Sequence, residues 1–144
     1  MPDSNPCGWL RRLRTLRFYV ASPLCSCCAA EVSQAFAPQY DAAFAGMEQA
    51  PSPEQADVLV LAGPVTKKAA PELKRIYDAM PEPKYVIAFG ACALSGGAFF
   101  DSYAVAKGAA KVVPVDLTVG GCPPRPLDFI AAVRRLREGC PDEC

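Results

Sequence analysis

Histidine is absent from the 144 residues. That excludes a Ser-His-Asp triad, a Cys-His nucleophile pair and any imidazole-ligated metal. Net charge is missing too, because 15 Lys and Arg balance 15 Asp and Glu. A general nucleic-acid binder needs a basic excess to displace counterions from phosphates, so no nucleic-acid partner is expected. No run of about 18 apolar residues occurs, and nothing reads as a membrane-spanning helix. The opening, Met1 to Cys7, is polar and interrupted by Pro2 and Pro6, so no secretory signal is read there. Cysteine, at eight residues, falls short of the roughly 8–10% density of a disulfide scaffold. The expected setting is reducing, where thiols persist or bind metal.

Hydrophobic residues make up 51% and charged residues 21%, the balance of a globular chain. The length suits one domain over 1–144 with a core at about 17–137 and frayed ends at 1–12 and 139–144. Short apolar runs bounded by Gly and Pro recur. Arg17–Ala21 reads as a strand; Asp57–Ala62 and Tyr85–Gly90 are near-continuous apolar runs, as expected of strands covered on both faces. Val112–Asp116 is a fourth candidate, demoted by Pro114 toward an edge or bulge. Helices are expected at Ala29–Phe36, at Lys68–Met80 with Pro71 in its first turn, and at Pro126–Glu138, which Gly139 stops. Residues 38–56 and 91–111 read as connections. This alternation predicts an α/β layer sandwich around a mainly parallel sheet.

Each central cysteine follows an expected strand end. Cys25, Cys27 and Cys28 come after the first, Cys92 after the third and Cys122 after the fourth. Carboxyl ends of parallel strands share one edge, so thiols distant in sequence converge in space. A set of thiolates without imidazole suits an iron–sulfur cluster or tetrahedral zinc, and unligated buried thiols are the third reading. Cys92 and Cys122 lie in Gly-rich loops, Gly90-Ala91-Cys92 with Gly96-Gly97, and Gly120-Gly121-Cys122-Pro123-Pro124-Arg125. Glycines let backbone N–H groups approach cluster sulfurs, which tunes a reduction potential.

Gly63-Pro64-Val65-Thr66-Lys67-Lys68, Tyr77 to Ala88, Gly90 to Gly97, Asp101-Ser102-Tyr103, Val113 to Asp116 and Gly121 to Pro126 together carry a recognisable pattern. Over residues 17–137 it resembles the small subunit of energy-converting, complex I-related nickel–iron hydrogenases, and equally the homologous complex I subunit that carries the terminal cluster. The resemblance implies a flavodoxin-like three-layer sandwich holding one [4Fe–4S] cluster on Cys25, Cys28, Cys92 and Cys122. Cys27 is the alternative to Cys25, since hydrogenase subunits carry Cys-x-x-Cys and complex I subunits adjacent cysteines. It also implies an electron-transfer subunit of an oxidoreductase, docked on a large catalytic subunit of nickel–iron or quinone-site type. A ferredoxin-like iron–sulfur subunit and membrane subunits are further implied partners, with the chain peripheral on the cytoplasmic side of the membrane. Glu31, three places after Cys28, is implied as a proton relay; its plain reading is a carboxylate favoured at a helix start. Arg125 reads as a helix cap or as a fixed charge near the cluster. The Gly63–Thr66 loop lacks the Walker spacing, so no nucleotide is expected. A zinc-bound or cluster-free assembly scaffold is the contrasting reading. Arg11, Arg12, Arg14 and Arg17 read as a solvated face or a contact to acidic headgroups.

Overall fold

The computed structural model describes residues 15–21, 27–82 and 84–138. Cys7, Cys25, Cys140, Cys144, Arg11, Arg12 and Arg14 lie outside these, as do the ends expected to fray. The elements run β1 (Leu16–Ala21), α1 (Cys27–Ala35), β2 (Met47–Gln49), β3 (Val58–Ala62), α2 (Ala70–Ala79), β4 (Tyr85–Phe89), α3 (Ala91–Ser95), β5 (Leu117–Val119) and α4 (Pro126–Glu138). Five strands form one sheet in the order β2-β1-β3-β4-β5, and every neighbouring pair is parallel. That is the flavodoxin-like strand order, in which direction along the sheet reverses between β1 and β3.

Side chains alternate across the sheet with a period of two. Phe18, Val58, Val60, Ile87 and Phe89 pack one face with Cys28 and Val32 of α1 and Phe129 and Val133 of α4. Tyr19, Leu59, Leu61, Val86 and Ala88 pack the other with Leu73 of α2 and Ala93 of α3. All ten residues of β3 and β4 are buried, which is why these strands read as unbroken apolar runs. The Phe129 ring meets Phe18, Phe36 and Phe89 at 5.6, 6.1 and 5.8 Å between centroids.

Two carboxylates fix the strand starts. Asp57, just before β3, accepts the Arg17 N–H at 3.1 Å and donates its own N–H to Arg17 O at 2.9 Å. Asp116, just before β5, accepts the Val86 N–H at 2.8 Å and returns its N–H to Val86 O at 2.9 Å. The strand expected at Val112–Asp116 therefore forms instead at Leu117–Val119, because Val113 is buried in the second face's core and Asp116 acts as the clamp. The two long connections also hold short elements: β2 within 38–56, and α3 with a 3₁₀ turn at Gly97–Phe99 within 91–111.

Candidate metal centre

The carboxyl ends of β1, β4 and β5 carry the described central thiols. Cys27 and Cys28 open α1, Cys92 is the second residue of α3, and Cys122 follows β5. The β4 and β5 exits stay joined beyond the strands: Gly90 N–H donates to Val119 O and Ala91 N–H to Gly121 O, both at 2.8 Å. Cys92 and Cys122 are thus carried on neighbouring loops. Cys28 and Cys92 are buried, whereas Cys27 and Cys122 are exposed.

Neighbouring cysteines bear on the two buried thiols. Burial pushes the Cys28 thiol up to about 12, with further contributions from the charge and hydrogen bond of Cys27 and the charges of Cys92 and Cys122. Cys92 is also raised, by burial first and then by Cys122 and Cys27, against a lowering hydrogen bond from the Ala98 N–H. Burial therefore favours the neutral form of the Cys28 and Cys92 thiols, and a nearby positive charge would favour their thiolates.

Two of the sulfurs lie directly against glycine backbone. A Cβ on Gly90 would stand 2.5 Å from Cys28 Sγ, and the backbone there has φ +95°. On Gly97, at φ +53°, a Cβ would come within 3.1 Å of Cys92 Sγ. An all-thiol donor set packed against glycine backbone fits a soft, sulfur-ligated metal group. Among the described residues, no three Cys, Asp or Glu side chains draw close enough to hold a single ion.

Glu31 is half-buried and lies four residues after Cys27 and three after Cys28, on the same helix face. Because α1 starts at Cys27, Glu31 sits in its second turn and not at the helix start. Arg125 is exposed and precedes α4; its N–H donates to Asp128 Oδ2 at 3.0 Å, while Asp128 N–H returns to Arg125 O at 3.0 Å. This reciprocal cap is the plain reading of Arg125. In the Gly63–Thr66 loop, Thr66 Oγ1 accepts the Ala69 N–H at 3.1 Å, and Val65 O accepts the Ala106 N–H at 2.8 Å. Ala98 has no mark of its own in the sequence; its one signal is the preceding Gly96-Gly97 pair, which permits the turn.

Residues 25–136 match the family described as NADH ubiquinone oxidoreductase, 20 Kd subunit. The chain is 48% identical over 127 residues to the B-type subunit of NADH-quinone oxidoreductase from Nocardioides sp., covering 88% of this chain and 68% of that protein. It is 47% identical over 114 residues to the second B-type subunit of NADH-quinone oxidoreductase from Streptomyces griseus subsp. griseus, covering 78% of this chain but 48% of that one. Among solved structures, a chain of the membrane-bound sulfane sulfur reductase, an archaeal respiratory membrane complex, superposes with TM-score 0.79 at 32% identity. That match covers 92% of this chain and 74% of the other. An NAD+-reducing [NiFe]-hydrogenase in the H2-reduced state shares the fold, with TM-score 0.65 and 18% identity over 91% of this chain and 96% of that one.

Proposed function

This chain belongs to the NADH ubiquinone oxidoreductase 20 Kd subunit family, and from that premise we propose that it is an electron-carrying subunit that holds one [4Fe–4S] cluster. The observation that carries the reading is the placement of Cys27, Cys28, Cys92 and Cys122 at the carboxyl ends of three parallel strands, with glycine backbone against the Cys28 and Cys92 sulfurs. Such a cluster, when bound, takes up and gives back single electrons. The proposed ligands are Cys28, Cys92 and Cys122 with one further thiol from the first segment. That thiol is Cys25, which lies outside the described residues, with Cys27, which bears on both Cys28 and Cys92, as the alternative.

The chain's own residues bind, shield and orient. Burial of Cys28 and Cys92 keeps water from two of the sulfurs. Without a Cβ, Gly90 lets the Cys28 sulfur lie directly against its backbone. Glu31, one helical turn from Cys27 and Cys28, is placed to take and return a proton at its carboxylate close to the redox group. Leu94, Phe99, Phe100 and Tyr103 are exposed in the stretch after Cys92, and Lys107 Nζ lies 4.5 Å from the Phe100 ring centroid. Solvated aromatics this concentrated support the docking of a large catalytic partner next to the cluster. No helix among the described residues is long and apolar enough to cross a membrane. The proposed attachment is peripheral, through a ferredoxin-like subunit and membrane subunits on the cytoplasmic side, and the likeness to a chain of an archaeal respiratory membrane complex supports it.

Likeness at 48% identity to an NADH-quinone oxidoreductase component supports a quinone-site large subunit. The retained Cys25-x-x-Cys28 spacing supports a nickel–iron large subunit as the second reading. Anaerobic purification tests the cluster: about four irons per chain and a broad visible absorbance support it. A colourless chain with stoichiometric zinc would establish the scaffold reading instead. Iron binding that survives Cys92→Ser or Cys122→Ser would contradict the ligand set, and comparing Cys25→Ser with Cys27→Ser identifies the fourth thiol. Nickel in the co-purified complex separates the hydrogenase from the quinone-type partner.

A further inference from the structure

The residues just after Cys92 fold back onto its sulfur. Helix α3 ends at Gly96, where φ is +93° and ψ −14°, with the Gly96 N–H on Cys92 O at 3.0 Å. Gly97 follows, also at positive φ. The next two turn amides go to turn carbonyls: Phe99 N–H donates to Gly96 O at 3.0 Å and Phe100 N–H to Gly97 O at 3.2 Å. The Ala98 N–H instead reaches the Cys92 sulfur. No side chain fits at position 97 without displacing this turn, because a Cβ there would meet Cys92 N and Sγ at 3.1 Å and Cα at 3.2 Å. The connection is braced from behind. Ala106 N–H donates to Val65 O and Lys67 N–H to Ala104 O, both at 2.8 Å. At Gly108 a Cβ would come 2.5 Å from Leu94 O.

We infer that the Gly96–Ala98 turn sets the reduction potential of the group held by Cys92, with the Ala98 amide as the positioning donor. A fixed N–H dipole aimed at a ligand sulfur stabilises the form carrying the additional negative charge. One electron enters and the same electron leaves; no bond is made and no proton is required. The amide therefore raises the potential, and Gly97 is needed because any Cβ would lift the donor away. This inference rests on the electron-carrier reading above and adds the donor that tunes it.

The test uses the full chain, loaded anaerobically with iron and sulfide. Replacing Ala98 by lactic acid turns one amide into an ester: it removes the Ala98 N–H and weakens the Gly97 carbonyl, whose partner is the Phe100 N–H and not a sulfur. The expected result is a downward shift of the midpoint potential, followed by paramagnetic resonance, with iron content unchanged. Gly97→Ala is expected to shift it the same way, whereas Ala98→Gly, which keeps the N–H, leaves it at the wild-type value. An unchanged potential in the iron-loaded ester variant overturns the inference. Should the ester variant fail to fold, an unchanged potential in Gly97→Ala does so equally. A cluster-free arm checks the hydrogen bond itself. In the iron-free chain, Cys92→Ala is expected to speed exchange of the Ala98 amide proton about fivefold or more, and equal exchange rates also overturn the inference. A wild-type chain that takes up no iron sinks the electron-carrier reading, a result distinct from an iron-loaded chain whose potential does not move.

Discussion

Gly90 shows how a single residue governs the site. Its positive φ costs any other residue about 1–3 kcal/mol, and an added Cβ would collide with Cys28 Sγ. Gly90→Ala is therefore expected to lose iron uptake more completely than it loses stability; iron per chain and the urea midpoint measure the two. Cys28 gives a pH signature. Folding raises its thiol from 9.0 to about 12, so the native state holds this proton more tightly than the unfolded chain does. The resulting stabilisation is complete below the unfolded value and disappears as pH climbs through the folded one. In the iron-free chain the unfolding midpoint should fall between pH 9 and about 12. At pH 8, mass spectrometry should find iodoacetamide on the exposed Cys122 well before the buried Cys28. The positions of these cysteines in the sequence pointed to a shared site, but burial of Cys28 and exposure of Cys27 depend on how α1 meets the sheet.

Among the elements, α4 is held through its ring. Phe129 is fully buried and touches three other aromatic residues from β1, β4 and the end of α1. Phe129→Ala is expected to cost about 3–5 kcal/mol, read from chemical denaturation. Lys84 secures the end of α2: its Nζ donates to Tyr77 O at 2.9 Å and lies 4.0 Å from the Tyr77 ring centroid. Strands β3 and β4 were legible because burial on both faces demands an unbroken apolar run. Helix α4 was legible because Leu127, Ile130, Val133 and Leu136 recur at helical spacing, although Leu127 itself is 59% exposed. Strand β2 was not legible: its three residues include the exposed Glu48 and Gln49, and only the β1 edge makes them a strand. Helix α3 spans five residues, too short for a period to appear. Strand β5 was misplaced because Val112 and Val113 look like strand residues yet serve the core between elements.

For the whole molecule, the proposed cluster joins chain segments nearly a hundred residues apart. Binding to the native state alone raises stability by mass action. Iron loading should raise the thermal midpoint, by about 2–4 °C for each kcal/mol of coupling in a domain of this size, and removal of iron by a chelator should reverse it. Calorimetry of loaded and iron-free chains checks this; equal midpoints would place the iron outside the folded structure. The exposed Phe99, Phe100 and Tyr103 lie a few residues beyond the amide proposed to tune Cys92, so the proposed docking surface and redox site occupy one short stretch.

The order of apolar runs and helices, and the placement of thiols after strands, were determined by the sequence itself, since hydrophobic period and turn residues are local properties. The β1–β3 switch, the strand start set by Asp116, the interaction of Cys27 with Cys28 and Cys92, and the Ala98 amide on the Cys92 sulfur were decided only in the tertiary structure. Each depends on which segments become neighbours once the two faces of the sheet are covered, and no local pattern encodes that choice.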